Sequence, residues 1–173
     1  YSGNLYAVNP KIDGQKFCNK PVISCVSKAL EPLDLVVIVV PAKFVESVID
    51  DCVINKSKNV IVISAGFKEV GNEKLEKSIL KKCEKNNIKL LGPNCLGVIF
   101  PLVGLNASFS DGYPKKGNIA FVSQSGAFCT AVLDWAAEKN IGFSHFISLG
   151  NKAGISEIDL LESLAQDEQV KIF

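Results

Sequence analysis

Asn118-Ile119-Ala120-Phe121-Val122-Ser123-Gln124-Ser125-Gly126-Ala127 is a short apolar run that turns through Ser-Gly into a segment with helical patterning, Ala127 to Lys139. A strand that turns this way into a helix leaves several backbone N–H groups unpaired and aimed outward. Two hydroxyls and the positive end of a helix dipole add to them, and together they form a seat for an oxyanion. The stretch therefore predicts both a βα unit and a phosphate site.

The same alternation runs outward in both directions. Strands are expected at Asn4–Asn9, Leu33–Val40, Asn59–Ser64, Ile88–Leu91, Asn118–Val122 and Gly142–Ser148. Helical periods separate most of them, which predicts an α/β protein with a mainly parallel sheet. Leu33 to Val40 is nearly all aliphatic, the pattern of a central strand covered on both faces. Phe44, Val48 and Cys52 recur at four-residue steps, as do Leu75, Ile79 and Cys83, and each trio predicts a buried helical stripe. Ser156-Glu157-Ile158-Asp159 reads as a capping box ahead of a stripe of Ile158, Leu161 and Leu164.

The polar loop Ser110 to Gly117, punctuated by Gly and Pro, predicts a boundary between two units, residues 1–112 and 117–173. The first is expected to be Rossmann-like and to lack its opening strand. The second is expected to begin another doubly wound unit. Tyr1 at one end, and at the other Val170 to Phe173, which reads as the start of a strand, suggest an internal piece of a longer protein.

Lysine and arginine number 19 against 18 aspartates and glutamates, so no basic field points to nucleic acid. No apolar run approaches the roughly 20 residues that span a bilayer, and no signal-peptide pattern opens the chain. A cytoplasmic location is the expectation. Six cysteines lie scattered without CxxC spacing beside a single histidine, which argues against a metal site and for reduced core thiols.

In open α/β sheets ligands bind beyond the carboxyl ends of the strands. Those ends carry Asn9, Pro10 and Lys11, then Val40, Pro41, Ala42 and Lys43, then Ser64, Ala65, Gly66 and Phe67. They combine hydroxyls, small residues and cations in the manner of a nucleotide crevice, although small polar residues also make ordinary loops. The turn Gly92 to Gly97 places Asn94 and Cys95 at the next tip, where a buried cysteine in a crossover turn and a ligand contact are both open readings. No base accompanies Cys95 in sequence, so thiol catalysis is not expected. The tip Ser148 to Gly154 offers Asn151 and Lys152 to the anion seated by Ser123, Gln124, Ser125 and Gly126; a solvated loop lysine is the plainer reading of Lys152. His145, in mid-run among aromatic residues, reads as one side of a strand.

Taken in order, Val8-Asn9-Pro10, Val40-Pro41-Ala42, Ile63 to Glu69, Gly92-Pro93-Asn94-Cys95-Leu96-Gly97, Ser123-Gln124-Ser125-Gly126 and Ser148 to Lys152 closely resemble the NDP-forming acyl-CoA synthetases. The likeness is strongest to the α part of ADP-forming acetate–CoA ligase, a relative of succinyl-CoA synthetase, and it covers essentially the whole chain. It implies a CoA-binding Rossmann domain followed by a flavodoxin-like ligase domain. The implied reaction is acyl-CoA + ADP + phosphate ⇌ carboxylic acid + CoA + ATP, through an acyl phosphate and a phosphohistidine. It further implies coenzyme A contacts at Asn9, Pro10, Lys11, Val40, Pro41, Ala42, Lys43, Ser64, Ala65, Gly66, Phe67, Asn94 and Cys95. Phosphate contacts are implied at Ser123, Gln124, Ser125, Gly126, Asn151 and Lys152.

An ATP-grasp β subunit or domain, in a hetero- or homo-oligomer, would bring ADP, ATP and Mg. The family's Gly-rich turn and its phosphorylated histidine have no counterpart in these residues, and His145 matches neither, so turnover by this piece alone is not expected. Two other readings compete. One is a CoA-binding regulatory module of a protein acetyltransferase. The other is an NAD-dependent oxidoreductase, which the missing GxGxxG and the missing acid beside Asn9 disfavour.

Overall fold

The computed structural model describes residues 2–173. A small antiparallel ribbon, β1 (Lys16–Phe17) and β2 (Lys20–Pro21), precedes the first βαβ run. That run is β3 (Val36–Ile38), α1 (Ala42–Asn55), β4 (Asn59–Val62), α2 (Glu73–Lys85) and β5 (Lys89–Leu91). Its three strands form one parallel sheet in sequential order, with Val36 opposite Val60 and Asn59 opposite Lys89. The chain then builds β6 (Gly97–Phe100), β7 (Leu105–Ser108), β8 (Lys115–Ser123), α3 (Gly126–Glu138), β9 (Gly142–Ser148) and α4 (Glu157–Leu164). These strands lie in the order β7-β6-β9-β8, with β8 and β9 parallel and β6 antiparallel to both of its neighbours.

Local chemistry accounts for the helices. α2 carries Glu73 and Glu76 in its first turn and Lys82 and Lys85 in its last, the order that suits the helix dipole. Ser125 caps α3, its Oγ accepting from Phe128 N–H at 3.2 Å. The capping box at Ser156 forms as expected, with Asp159 accepting from Ser156 N–H at 2.8 Å. Of the stripe beyond it only Leu164 is buried; Ile158 and Leu161 face solvent.

Three apolar clusters hold the molecule. One joins the first sheet to α1 and α2, and another lies under α3. The third takes Ile61 and Leu91 from the first sheet and Val98, Ala120 and Ile147 from the second, so the two sheets share a core. Leu149, fully buried in it, contributes on the order of 1.5–3 kcal/mol.

Four expectations need correction. Asn4–Asn9 is not a strand; only Val8 makes a parallel bridge, to Ile23, and Leu5 and Val8 remain exposed because no further edge covers them. Leu33–Val40 shortens to β3, and its two faces are unequally packed: Val36 and Ile38 are buried on one, while on the other Leu35 is half-buried against the shared core and Val39 is 69% exposed. Among the described residues β3 pairs only with β4, so it is an edge strand rather than a central one. In α1 the buried stripe is Val45, Ile49 and Cys52, with Phe44 turned to solvent. Finally, the loop Ser110–Gly117 ends early, because β8 begins at Lys115.

The Val170–Phe173 segment forms a parallel bridge from Ile172 to Ile119, on the side of β8 opposite β9. β8 therefore feeds a connection to one neighbour and later receives chain on its other flank. That is a topological switch point, where open α/β sheets place their ligands at the strand's carboxyl end.

Candidate functional site

At the carboxyl end of β8 the turn is held from within. Ser123 Oγ accepts from Ser125 N–H at 3.2 Å, and Ser123 C=O accepts from Leu149 N–H at 2.8 Å, tying the β8 tip to the β9 tip. With Phe128 N–H on the Ser125 hydroxyl, the amides of Gly126 and Ala127 are left without an acceptor among the described residues. Both stand at the positive end of a 13-residue helix, and Gln124 and Ser125 are exposed. Ser123 thus shapes the turn, whereas Ser125 and Gly126 present it.

The first sheet gathers its own tips. Ser64 Oγ donates to Val40 C=O, and Ser64 C=O accepts from Asn94 N–H at 3.0 Å. Gly66 has φ +113°, and a Cβ there would fall 2.9 Å from Ala42 Cβ, so the two loops touch backbone to side chain. Val40, Pro41, Ala42, Ser64, Ala65, Gly66 and Asn94 therefore form one cluster. Pro41, Lys43 and Ala65 open to solvent, and Lys43 Nζ sits 4.9 Å above the Phe44 ring. The Ala42 and Lys43 amides in the first turn of α1 have no acceptor among the described residues.

Several residues of the sequence reading fall elsewhere. Phe67 is wholly buried in the first core, so its ring cannot touch a ligand; it anchors the loop instead. Cys95 is 3% exposed, its thiol donates to Val62 C=O at 3.4 Å, and burial pushes it up to about 11. This is the buried-cysteine reading of that turn. Asn9, Pro10 and Lys11 form a short 3₁₀ turn in which Asn9 Oδ1 accepts from Lys11 N–H at 3.0 Å; they bond to the Ile23 segment and not to the β3 or β4 tips.

Asn151 is buried and fully engaged. Its Nδ2 donates to Glu69 Oε2 at 2.6 Å and to Glu76 Oε2 at 2.8 Å, while its Oδ1 accepts from Asn94 Nδ2 at 3.2 Å. With those bonds made it is a strut between the two sheets rather than a group turned toward an anion. Gly150 makes the approach possible: its φ is +56°, and a Cβ there would lie 2.4 Å from the carbonyl oxygens of Pro93 and Asn94. Lys68 completes the knot, donating to Asn151 C=O and lying 3.6 Å from Glu76 Oε1. Burial would raise the Glu69 carboxyl, but bonds from Asn151 and from the Gly66 and Phe67 amides hold it below its ordinary range.

Sequence reasoning missed this network. One signal was available: Glu76 falls on the face of α2 that buries Ile79 and Cys83, and an acid on an apolar stripe requires a partner. Lys152 and Gln124 both reach Glu157, at 3.0 Å for Lys152 Nζ. His145 stands in mid-strand, its Nε2 3.6 Å from Asp167 and its ring edge-on to Phe100. Burial pushes its pKa down, against the pull of Asp167. Among the described residues no helix is long and apolar enough to cross a membrane, and no cluster of three His, Cys, Asp or Glu could hold a metal.

The CoA binding domain model matches residues 2–101, and the succinyl-CoA ligase like flavodoxin domain model matches residues 116–173. The chain is 47% identical over 174 residues to acetate–CoA ligase [ADP-forming] I of Archaeoglobus fulgidus, an alignment that takes 99% of this chain and 25% of that protein. It is 39% identical over 178 residues to acetate–CoA ligase [ADP-forming] I subunit alpha of Pyrococcus furiosus, covering 99% of this chain and 38% of that one. The chain thus spans well under half the length of the curated relatives it matches. Among solved structures it superposes at a TM-score of 0.93, with 37% identity, on the dinucleotide forming acetyl-coenzyme A synthetase 1 of Ca. Korarchaeum cryptofilum in complex with phosphate and ADP. That match covers 98% of this chain and 36% of the other.

Proposed function

We propose, from the premise that this chain belongs to the CoA-binding domain family, that it is the CoA- and phosphate-holding part of an ADP-forming acyl-CoA ligase. The whole enzyme would interconvert acyl-CoA, ADP and phosphate with a carboxylic acid, CoA and ATP. The supporting observation is the Asn151 strut, which ties the β9 tip to the loop after β4, to α2 and to the turn after β5, while Leu149 N–H ties the β9 tip to the β8 tip and the Ser64 hydroxyl ties the β4 tip to Val40 at the end of β3.

In this reading Pro41, Ala42, Lys43, Ser64, Ala65, Gly66 and Asn94 line the CoA side. The open amides of α1 and the Lys43 charge suit a phosphorylated cofactor, and the small residues let it approach. Asn9, Pro10 and Lys11 extend that side from a separate turn. Gln124, Ser125, Gly126 and Lys152 hold the phosphoryl group, where amides and charge placed in advance stabilise it during transfer. An ATP-grasp partner would supply ADP, ATP and Mg, and the relative named as an alpha subunit fits a two-part assembly. His145, wedged between Phe100 and Asp167 in mid-strand, is given no part in the chemistry.

Calorimetric titration with CoA, NAD and inorganic phosphate tests the reading. CoA should bind and NAD should not. Gly126 has nothing within 4 Å of a built Cβ, so Gly126→Val leaves the fold intact while covering the open amides. It should weaken phosphate about tenfold, the order expected for lost hydrogen bonds to a charged group, and leave CoA affinity unchanged. NAD binding without CoA binding, or equal loss of both ligands in Gly126→Val, would overturn the assignment.

A further inference from the structure

Two side chains that could reach toward an anion at the β8 turn, those of Gln124 and Lys152, are already turned to one carboxylate. Glu157 Oε1 accepts from Gln124 Nε2, and Glu157 Oε2 lies 3.0 Å from Lys152 Nζ. Gln124 stands directly before Ser125 and Gly126, and Lys152 belongs to the loop that Leu149 N–H ties to Ser123 C=O. The carboxylate therefore engages two donors proposed for the phosphoryl group.

Helix architecture does not require it there. Glu157 opens α4, but the cap is made by Ser156 and Asp159: Ser156 N–H donates to the Asp159 carboxylate at 2.8 Å and Asp159 N–H donates to Ser156 Oγ at 3.4 Å, without Glu157. Its own backbone amide, Lys152 and Gln124 hold its carboxyl below the ordinary carboxylate range, so it is charged at neutral pH. The side chains of Glu157 and Lys152 are 38% and 37% exposed, so either can swing into water at small cost.

We infer that Glu157 is an internal counter-anion of the β8 turn, bridging Gln124 and Lys152 until phosphate displaces it and so setting the affinity of the site. This rests on the reading of that turn as a phosphate seat. Phosphate needs the same ammonium and amide donors, and it carries the same sign of charge as the group it must displace. Removing the Glu157 charge should therefore tighten binding, whereas loss of a merely structural contact would weaken it or leave it unchanged.

The test is calorimetric titration of the full-length protein with inorganic phosphate. Glu157→Gln and Glu157→Ala should each tighten phosphate about two- to fivefold, the span an exposed charge pair supplies. Adding Lys152→Met to Glu157→Gln should abolish the gain. Glu162→Gln, an exposed acid elsewhere on α4, should change nothing, and melting curves of all variants establish that they are folded. Unchanged or weaker binding in both Glu157 variants overturns the inference, as does an equal gain in Glu162→Gln. No phosphate binding by any of the proteins would instead refute the phosphate seat, and the inference with it.

Discussion

Replacing Asn151 with alanine should cost the protein about 2–4 kcal/mol. The magnitude follows from what the amide holds. Its bond to Glu76 reaches a carboxylate that is 7% exposed, and a hydrogen bond to a buried charge is worth about 1.5–3 kcal/mol. The bond to Glu69 reaches an exposed carboxylate and is discounted to less than about 1 kcal/mol. Alanine also strands the Glu76 charge, leaving it the Lys68 amide at 3.3 Å and the Lys68 ammonium at 3.6 Å. For a protein of this size the loss translates into an apparent Tm lower by about 5–15 °C, read by circular dichroism and checked by the urea midpoint. Asn151→Asp should be worse than alanine, because it sets a third carboxylate between two others. A loss below about 1 kcal/mol for alanine, or an aspartate variant as stable as wild type, would show that the sheets are held by apolar packing alone.

Two further outcomes follow from charge and burial. Burial pushes the Cys52 thiol up to about 12 and Cys95 up to about 11, so timed alkylation at pH 8 read by mass spectrometry should label exposed Cys18 in the folded protein. Cys52 and Cys95 should react only after unfolding, and comparable native rates would contradict their placement. Glu69 is held below its unfolded value of about 4.3, so its bonds stabilise the fold above that pH and the contribution fades as pH falls through the lower folded value. The Tm gap between wild type and Glu69→Gln should therefore be present at pH 7 and close on acidification; a gap that widened in acid would reverse the sign of the argument.

Much of the molecule could be read from the chain because parallel strands with short crossovers leave strong local marks. Gly142–Ser148, with Phe143, Phe146 and Ile147, forms β9 over those same residues. The Ser-Gly turn into α3 announces itself by its cap, and so does α4. Other features depend on partners that local pattern does not show. Asn4–Asn9 has strand composition, yet composition without a paired edge gives one bridge. In α1, Phe44-Val45 and Val48-Ile49 are adjacent apolar pairs, so spacing alone cannot choose which member faces inward. Asn151 reads as an anion contact from its place at the β9 tip and from the family resemblance. Its real partners, Glu69 and Glu76, lie 82 and 75 residues away.

β6 and β7 precede the polar loop at 110–117, yet β6 hydrogen-bonds to β9, placing Val98 against Ile147 and Ile99 against Phe146. The seam of the molecule is thus displaced from the seam of its sequence. A graft that exchanged everything after residue 117 with a relative would have to match the foreign β9 to a resident ribbon whose Val98 and Ile99 are almost wholly buried. The two halves are consequently poor cassettes for recombination, and a successful chimera needs its crossover before Gly97, so that the ribbon travels with the strand it seals.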